Sequence, residues 1–409
     1  MNDRIASTAN SEVQLTQVYS KTELKECQFQ SWYTKFRKSK DFESSIEYNA
    51  TPRSIILPLP ETFVQYLLCD GVELPADATQ VSSCVDAIFE NLEEDSWDAQ
   101  ESENTESAQF SFPELTESIS KAIAKLGGSV FPKLNWSSPK DASWMNGGSL
   151  KCKTAGDVYL LLKSSDFIMH DLMHAWDDVV DTEANELNDL SNRNSEGHDN
   201  YFLILRKWCN LHPSMEFRCF VASQQLGKKI TFSYQFLTFE SKFKLQLICI
   251  PFFVVAISQR EHTQCYPHLQ SQRMQIRQLV IDFFEEIIRD NFEKINSYVF
   301  DCYIDKDQRV WIIDFNLWGA RTDSLLFTWK SLEKMKADLL NESNDDEDIF
   351  DTTKHPEIRV VDSENEVHHD PLASYRAPID TVDLAKDSLG AQSFTDFMAK
   401  CEKPSFRND

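Results

Sequence analysis

Two strand-like runs near residue 300 constrain this chain more than any other feature. Tyr298–Val299–Phe300–Asp301–Cys302–Tyr303 and Val310–Trp311–Ile312–Ile313–Asp314–Phe315–Asn316 flank Asp305–Lys306–Asp307–Gln308, a turn-rich stretch. The spacing predicts two adjacent strands joined by that turn. Alternate side chains of a strand share a face, so Asp314 and Asn316 point the same way at the end of a large apolar run. The neighbouring strand brings Asp301 beside them. Carboxylate and amide oxygens are hard donors suited to magnesium, and magnesium held this sparsely shares its coordination with nucleotide phosphates. An isolated Asp-x-Asn would read as a strand end capping a turn; the partner strand tips the reading toward a metal site.

The chain has 409 residues, enough for two lobes and a sizeable core. Its net charge of −25 excludes the basic footprint that nucleic-acid binding needs. The charge fits a cytoplasmic protein, or one that docks on a basic partner surface. Ten cysteines are spread from Cys27 to Cys401 without a C-x-x-C or other zinc spacing, so free thiols in a reducing compartment are expected. Met1–Asn2–Asp3–Arg4–Ile5 lacks the apolar start of a secretory leader. Leu245 to Ile257 comes nearest to a membrane span, but it is short and contains Pro251. A monomer with no membrane attachment is the expectation.

Residues 1–22 are polar and aperiodic and are expected as a loose tail. Residues 23–75 are expected to form the N-terminal part of a first lobe, with helices near Cys27–Phe36 and Glu61–Leu68 and a strand from Ser54 to Pro60. Residues 76–108 read as an acidic flexible linker, with nine acidic and no basic residues between Asp86 and Glu106. Residues 109–335 form the expected core. Helices are predicted over Leu115–Leu126, Thr154–Leu162 and Gln270–Arg289, and strands over Val130–Trp136, Tyr201–Trp208 and Glu216–Ala222. Residues 183–199 read as a polar loop. Residues 336–409 are expected as an acidic tail with a short helix near Phe394–Phe397. The class is mixed α/β.

The segment from Gly227 to Val254 is anomalous within that core. It is rich in Phe, Lys and Ile and poor in hairpin turn chemistry. It reads as a hairpin extension or, preferably, as a retained intron that has been translated. Without it, Leu226 joins Val255–Ala256–Ile257 in a simple two-strand connection.

Several cationic residues stand at strand ends. Lys133 follows a strand and a glycine pair, where an ammonium reaches phosphates as a point charge. Gly127–Gly128–Ser129 does not match a Walker-type phosphate loop. Arg206–Lys207–Trp208 ends a buried strand and reads as an adenine-facing hinge, with backbone groups reading the base and Trp208 nearby, or as a plain strand end with cationic flanks. Glu216 and Arg218 share a strand face, as a buried pair or as phosphate-orienting groups. Arg260 is a further candidate phosphate ligand.

These pieces together resemble the cell-division-cycle protein 123 family of eukaryotes. The resemblance rests on Gly127–Gly128–Ser129–Val130–Phe131–Pro132–Lys133–Leu134–Asn135–Trp136, Leu205–Arg206–Lys207–Trp208–Cys209, Glu216–Phe217–Arg218–Cys219–Phe220–Val221, Ile257–Ser258–Gln259–Arg260 and Ile313–Asp314–Phe315–Asn316. It extends from about Cys27 to about Phe397 with the order kept. It implies an ATP-grasp-like fold in which two α/β lobes clamp ATP and magnesium (Mg2+). It also implies a chaperone that promotes assembly of eukaryotic translation initiation factor 2 by binding its gamma subunit. By motif, Lys133 and Asn135 would contact the nucleotide and Arg206, Lys207, Trp208 and Cys209 would line the adenine hinge. Arg218 and Arg260 would lie near phosphates, and Asp301, Asp314 and Asn316 would hold magnesium. The chain departs from the family at Leu317–Trp318–Gly319–Ala320–Arg321, where the family pattern reads Pro-Phe-Gly-Glu. An ATP-grasp ligase, which joins an acid to an amine through an acyl-phosphate, shares this site chemistry, and so does a protein that uses ATP only as structural glue.

Overall fold

The computed structural model describes residues 18–37, 49–78, 110–180, 201–223, 230–233, 246–249, 252–292, 294–342, 356–369 and Leu372. The expected acidic stretch 86–106, the polar loop 183–199 and the helix near Phe394–Phe397 lie outside the described residues.

The smaller lobe is built on a three-stranded antiparallel sheet, in the order β2 (Ser54–Pro58), β5 (Phe202–Lys207), β3 (Val130–Lys133). The Ser54–Ile55–Ile56–Leu57 run favours a strand and ends at Pro58, where a proline removes a ladder donor. Helix α3 (Glu61–Leu68) starts directly after Pro60, whose fixed φ suits a helix entry. Helix α4 (Pro113–Lys125) opens on a proline and ends at Gly127 and Gly128, both with positive φ. Helix α5 (Ala155–Lys163) begins with a capping box, in which the Thr154 and Asp157 side chains each accept from the other's backbone. Lys163 closes α3, its ammonium donating to the carbonyls of Tyr66 at 2.6 Å, Leu67 at 3.2 Å and Cys69. Phe63, Tyr66, Ile119, Val158, Tyr159 and Leu205 form this lobe's core.

The larger sheet has the order β11 (Val310–Leu317), β10 (Ser297–Ile304), β6 (Glu216–Ser223), β9 (Phe252–Gln259), β12 (Glu357–Arg359). It is covered on both faces, which explains why β6 and β9 are apolar without alternation. Phe217, Cys219 and Val221 face a core shared with α2 (Phe29–Phe36) and α7 (Pro267–Phe283). Phe220 and Ala222 face the opposite core, under α8 (Trp329–Glu342). The expected single helix 270–289 is thus α7 followed by a π turn at Phe284–Ile288.

Three parts of the chain are placed differently from their sequence reading. The 1–22 tail includes β1 (Tyr19–Ser20), which pairs in parallel with β4 (Val179–Val180), and Tyr19 is buried. Helices α1 (Lys21–Glu26) and α2 pack on the larger sheet rather than within the first lobe. The 336–409 tail includes β12, which pairs in parallel with β9 and is held by Arg277 on the Pro356 carbonyl and by Val361 N–H on Gln259 Oε1. Acidic composition hid this strand, because its stability comes from partners a hundred residues away.

The segment 227–254 contributes β7 (Ile230–Ser233) and β8 (Gln246–Cys249), an antiparallel pair. Its last residues belong to β9, where Phe252 and Val254 pair with Ser223 and Val221. If the segment is intronic, a chain without it should still close the sheet. Leu226 would then precede Val255 and take the place of Val254, apolar for apolar, with Ala222–Ser223–Gln224–Gln225 as the loop. The shortened chain is expected to unfold cooperatively within about 2 kcal/mol of the full chain. Failure of the shortened chain to fold would show that the segment, including the Phe252–Val254 start of β9, is integral.

Candidate functional site

The hairpin of β10 and β11 forms as its sequence predicts. Its tip is closed by Gln308 N–H donating to the Asp305 carbonyl and Asp305 N–H to that of Arg309. Asp301 lies opposite Asp314 on β11 and opposite Arg218 on β6. Phe315 turns to the other face and stacks on Phe292 and Phe36 at centroid distances of 4.3 and 5.4 Å. That aromatic packing fixes the strand, so Asp314 and Asn316 are presented together on the side facing the smaller lobe.

Asp301 is the electrostatic centre, 1% exposed. Arg218 grips it with two bonds, Nε to Oδ1 at 2.7 Å and Nη2 to Oδ2 at 2.9 Å. Arg260 adds a third, Nε to Oδ2 at 3.2 Å, while its Nη1 pairs with Glu216 at 2.8 Å. Burial would raise the Asp301 pKa, but the Arg218 and Arg260 guanidiniums outweigh it and hold the carboxyl well below the usual range. Asn316 Nδ2 donates to Asp301 Oδ2 at 3.5 Å. Glu216 and Arg218, expected as one pair, therefore each take a different partner. Their side chains share a face, but Asp301 sits nearer to Arg218 than Glu216 does.

The smaller lobe supplies cations. Lys133, at the end of β3, reaches across to Asp314 Oδ2 at 2.7 Å and also donates to the Trp136 carbonyl. Lys140, in the loop beyond β3, faces Arg260, Arg218, Glu216 and Asp301. Its pKa is pushed down to about 7, first by the Arg260 charge and then by burial, against the pull of Glu216 and Asp301. Sequence reading missed Lys140. A lysine after Pro139 carries no local signal, and only the folding of its loop aims it at the cluster.

The other expected residues lie along β3, β5 and the segments that follow them. Arg206 does not face the cleft. Its guanidinium is sandwiched between Phe29 and Phe131 at 5.2 and 5.4 Å and donates to the Ile313 carbonyl at 2.5 Å. Burial lowers its pKa, and its role here is to tie β5 to β11. Asn135 is buried and accepts from the Phe202 N–H at 2.8 Å, anchoring the start of β5. Lys207 is exposed, and its N–H is spent on the Arg53 carbonyl. Trp208 N–H goes to the Ser129 carbonyl, its ring lies 6.0 Å from Lys151 Nζ, and Cys209 is exposed beside it. The divergent loop after β11 is held by side-chain bonds to other elements, among them Trp318 Nε1 donating to Glu333 Oε1 at 2.6 Å. Thr322 bonds the Leu317 carbonyl at 2.6 Å, and Arg321 bonds the Ala175 carbonyl at 2.7 Å.

The donor set suits a small hard cation. No cluster of three or more His, Cys, Asp or Glu that could hold a metal ion occurs among the described residues. Two carboxylates and an amide oxygen leave coordination to be completed by phosphate oxygens, the usual situation for magnesium. Asp301 is the least available of the three, because guanidiniums already occupy both its oxygens.

The molecule is thus a two-lobed α/β protein in which cationic and carboxylate side chains of its two sheets meet. It belongs to the D123 family, whose model matches residues 32–242 and 252–385. The gap between those ranges falls inside the anomalous segment. The chain is 36% identical over 380 residues to the translation initiation factor eIF2 assembly protein of Xenopus tropicalis, covering 92% of this chain and 96% of that one. A protein of the same name from Schizosaccharomyces pombe is 36% identical over 358 residues, covering 85% of each chain. The solved structure of C-terminally truncated Cdc123 from Schizosaccharomyces pombe is similar with a TM-score of 0.56 at 32% identity, covering 84% of this chain and 98% of that one.

Proposed function

We propose that this protein is an ATP- and magnesium-binding chaperone that promotes assembly of eukaryotic translation initiation factor 2 in the cytoplasm, by binding its gamma subunit. The observation that carries the nucleotide part is the convergence of Lys133 and Lys140 from one lobe with Arg218 and Arg260 from the other. Lys133, Arg218 and Arg260 balance the carboxylates of Asp301, Asp314 and Glu216, and Lys140 adds a partial charge near neutral pH, a cation-rich setting that suits a polyphosphate. Asp314 and Asn316, with Asp301 behind them, would hold magnesium, which supplies positive charge to the phosphates. Trp208 and Cys209 are the hinge residues left to meet a base. The names of the relatives support the assembly role.

Calorimetry with ATP, with and without magnesium, tests the first part. Low-micromolar binding that weakens at least tenfold in chelator is expected, and no binding would refute it. A pull-down with the isolated gamma subunit tests the second, with a one-to-one complex expected. Steady ATP turnover that needs no gamma subunit would favour the ligase reading instead.

A further inference from the structure

Lys140 sits on a turn that is stapled on both sides to one helix, α6 (Asp166–Met173). Upstream of Lys140, Asp171 on α6 accepts two bonds from Ser137, N–H to Oδ2 at 2.7 Å and Oγ–H to Oδ1 at 2.8 Å. Downstream, Asp141 accepts from Ser165 Oγ–H and Asp166 N–H, both at 2.6 Å, at the start of the same helix. Between the staples the turn is internally bonded, Lys140 N–H to the Ser138 carbonyl at 2.8 Å. Asp171 is 4% exposed and lies close enough to Lys133 of β3 to feel its charge.

From this geometry we infer that Asp171 is a positioning residue, which presents Lys140 to the phosphates of the bound nucleotide by holding the Ser137 turn against α6. The inference rests on the ATP reading above. Asp171 is a costly choice for a merely structural bond. Its pKa is pushed up to about 6, chiefly by burial, with the Ser137 bonds pulling the other way. A carboxyl raised in the folded state stabilises the fold below its unfolded pKa near 4, and that contribution is lost as pH rises toward 6. At neutral pH its charge therefore opposes folding, and an amide of the same shape removes that cost. The amide oxygen can accept from Ser137 N–H while its NH2 donates to Ser137 Oγ.

Three variants test this. Asp171→Ala should lower ATP affinity about tenfold, the usual scale for a group that orients a ligand-contacting residue, while adenosine affinity changes less than twofold. Asp171→Asn should restore ATP affinity to within about threefold of the parent and unfold at the same temperature or higher at pH 7.5. In a Lys140→Met background, Asp171→Ala should cost less than twofold further, because the residue it positions is gone. If Asp171→Ala does not fold, Ser137→Ala removes one of the two bonds and should show the same pattern at smaller size. Equal losses with and without Lys140, or for ATP and adenosine alike, would overturn the inference and leave the ATP reading standing. No ATP binding by the parent chain would overturn both.

Discussion

Asp301→Ala should destabilise the protein by about 3–5 kcal/mol, the range found when one partner of a buried ion pair is removed. The substitution strips the Arg218 guanidinium of both its carboxylate bonds and leaves Arg260 only Glu216. Neither arginine can neutralise itself, so the buried charge has no escape. For a chain of this size the loss corresponds to roughly 4–6 °C in melting temperature. Replacing both partners, as in Asp301→Leu with Arg218→Met, should cost less than the single change, because no charge is stranded. The pH dependence follows from the depressed pKa. A carboxyl lowered in the folded state contributes stability above its unfolded pKa near 4 and loses it only as pH falls through the folded value, here in strong acid. Thermal unfolding of the three proteins at pH 7 measures the effect. A loss of under 1 kcal/mol for Asp301→Ala would mean that water, rather than protein, surrounds this cluster.

Asp314→Asn should remove the magnesium-dependent part of ATP binding, a loss of about a hundredfold when magnesium is present. The change keeps the shape of the side chain and a hydrogen bond to Lys133, but it deletes the negative charge that a cation needs most. Affinity measured in chelator should change little, and it should rise slightly if Lys133, freed from its carboxylate, turns wholly to the phosphates. Some stability is expected to go as well, about 1–3 kcal/mol, because Lys133 is buried and Asp314 forms an ion pair with it at 2.7 Å. Calorimetry on folded Asp314→Asn separates the two effects. Undiminished magnesium dependence would move the metal away from β11.

The β10–β11 hairpin was legible because its determinants are local. The period-two alternation around Phe315 and the polar turn at Asp305–Gln308 specify face and pairing within twenty residues. Helices α3, α4 and α5 were legible for the same reason, since prolines, Thr154 and the glycine pair mark their ends. Arg206 was not. Its place at the end of a strand matched a hinge, but its direction is set by Phe29 and Phe131, which only folding brings to either side of it. Lys140 and Asp171 were hidden because their roles are made by a loop-to-helix staple with no sequence period. Helix α6 was overlooked behind the Lys163–Ser164–Ser165 stop, although Ser165 is its N-cap. The anchored strand β12 was masked by its acidic surroundings, where three residues between charged stretches give too short a run for any pattern.

That late strand has a consequence for synthesis. Chains emerge from the ribosome N-terminus first, and β9 is made about a hundred residues before β12. Throughout that interval one edge of an almost wholly apolar strand has no neighbour to pair with. Unpaired edges of this kind recruit other chains. A nascent chain, or one truncated before Pro356, therefore carries a sticky edge that the finished protein conceals. Strand β12 works as a seal, and the larger sheet can be completed only once Glu357–Arg359 has been made.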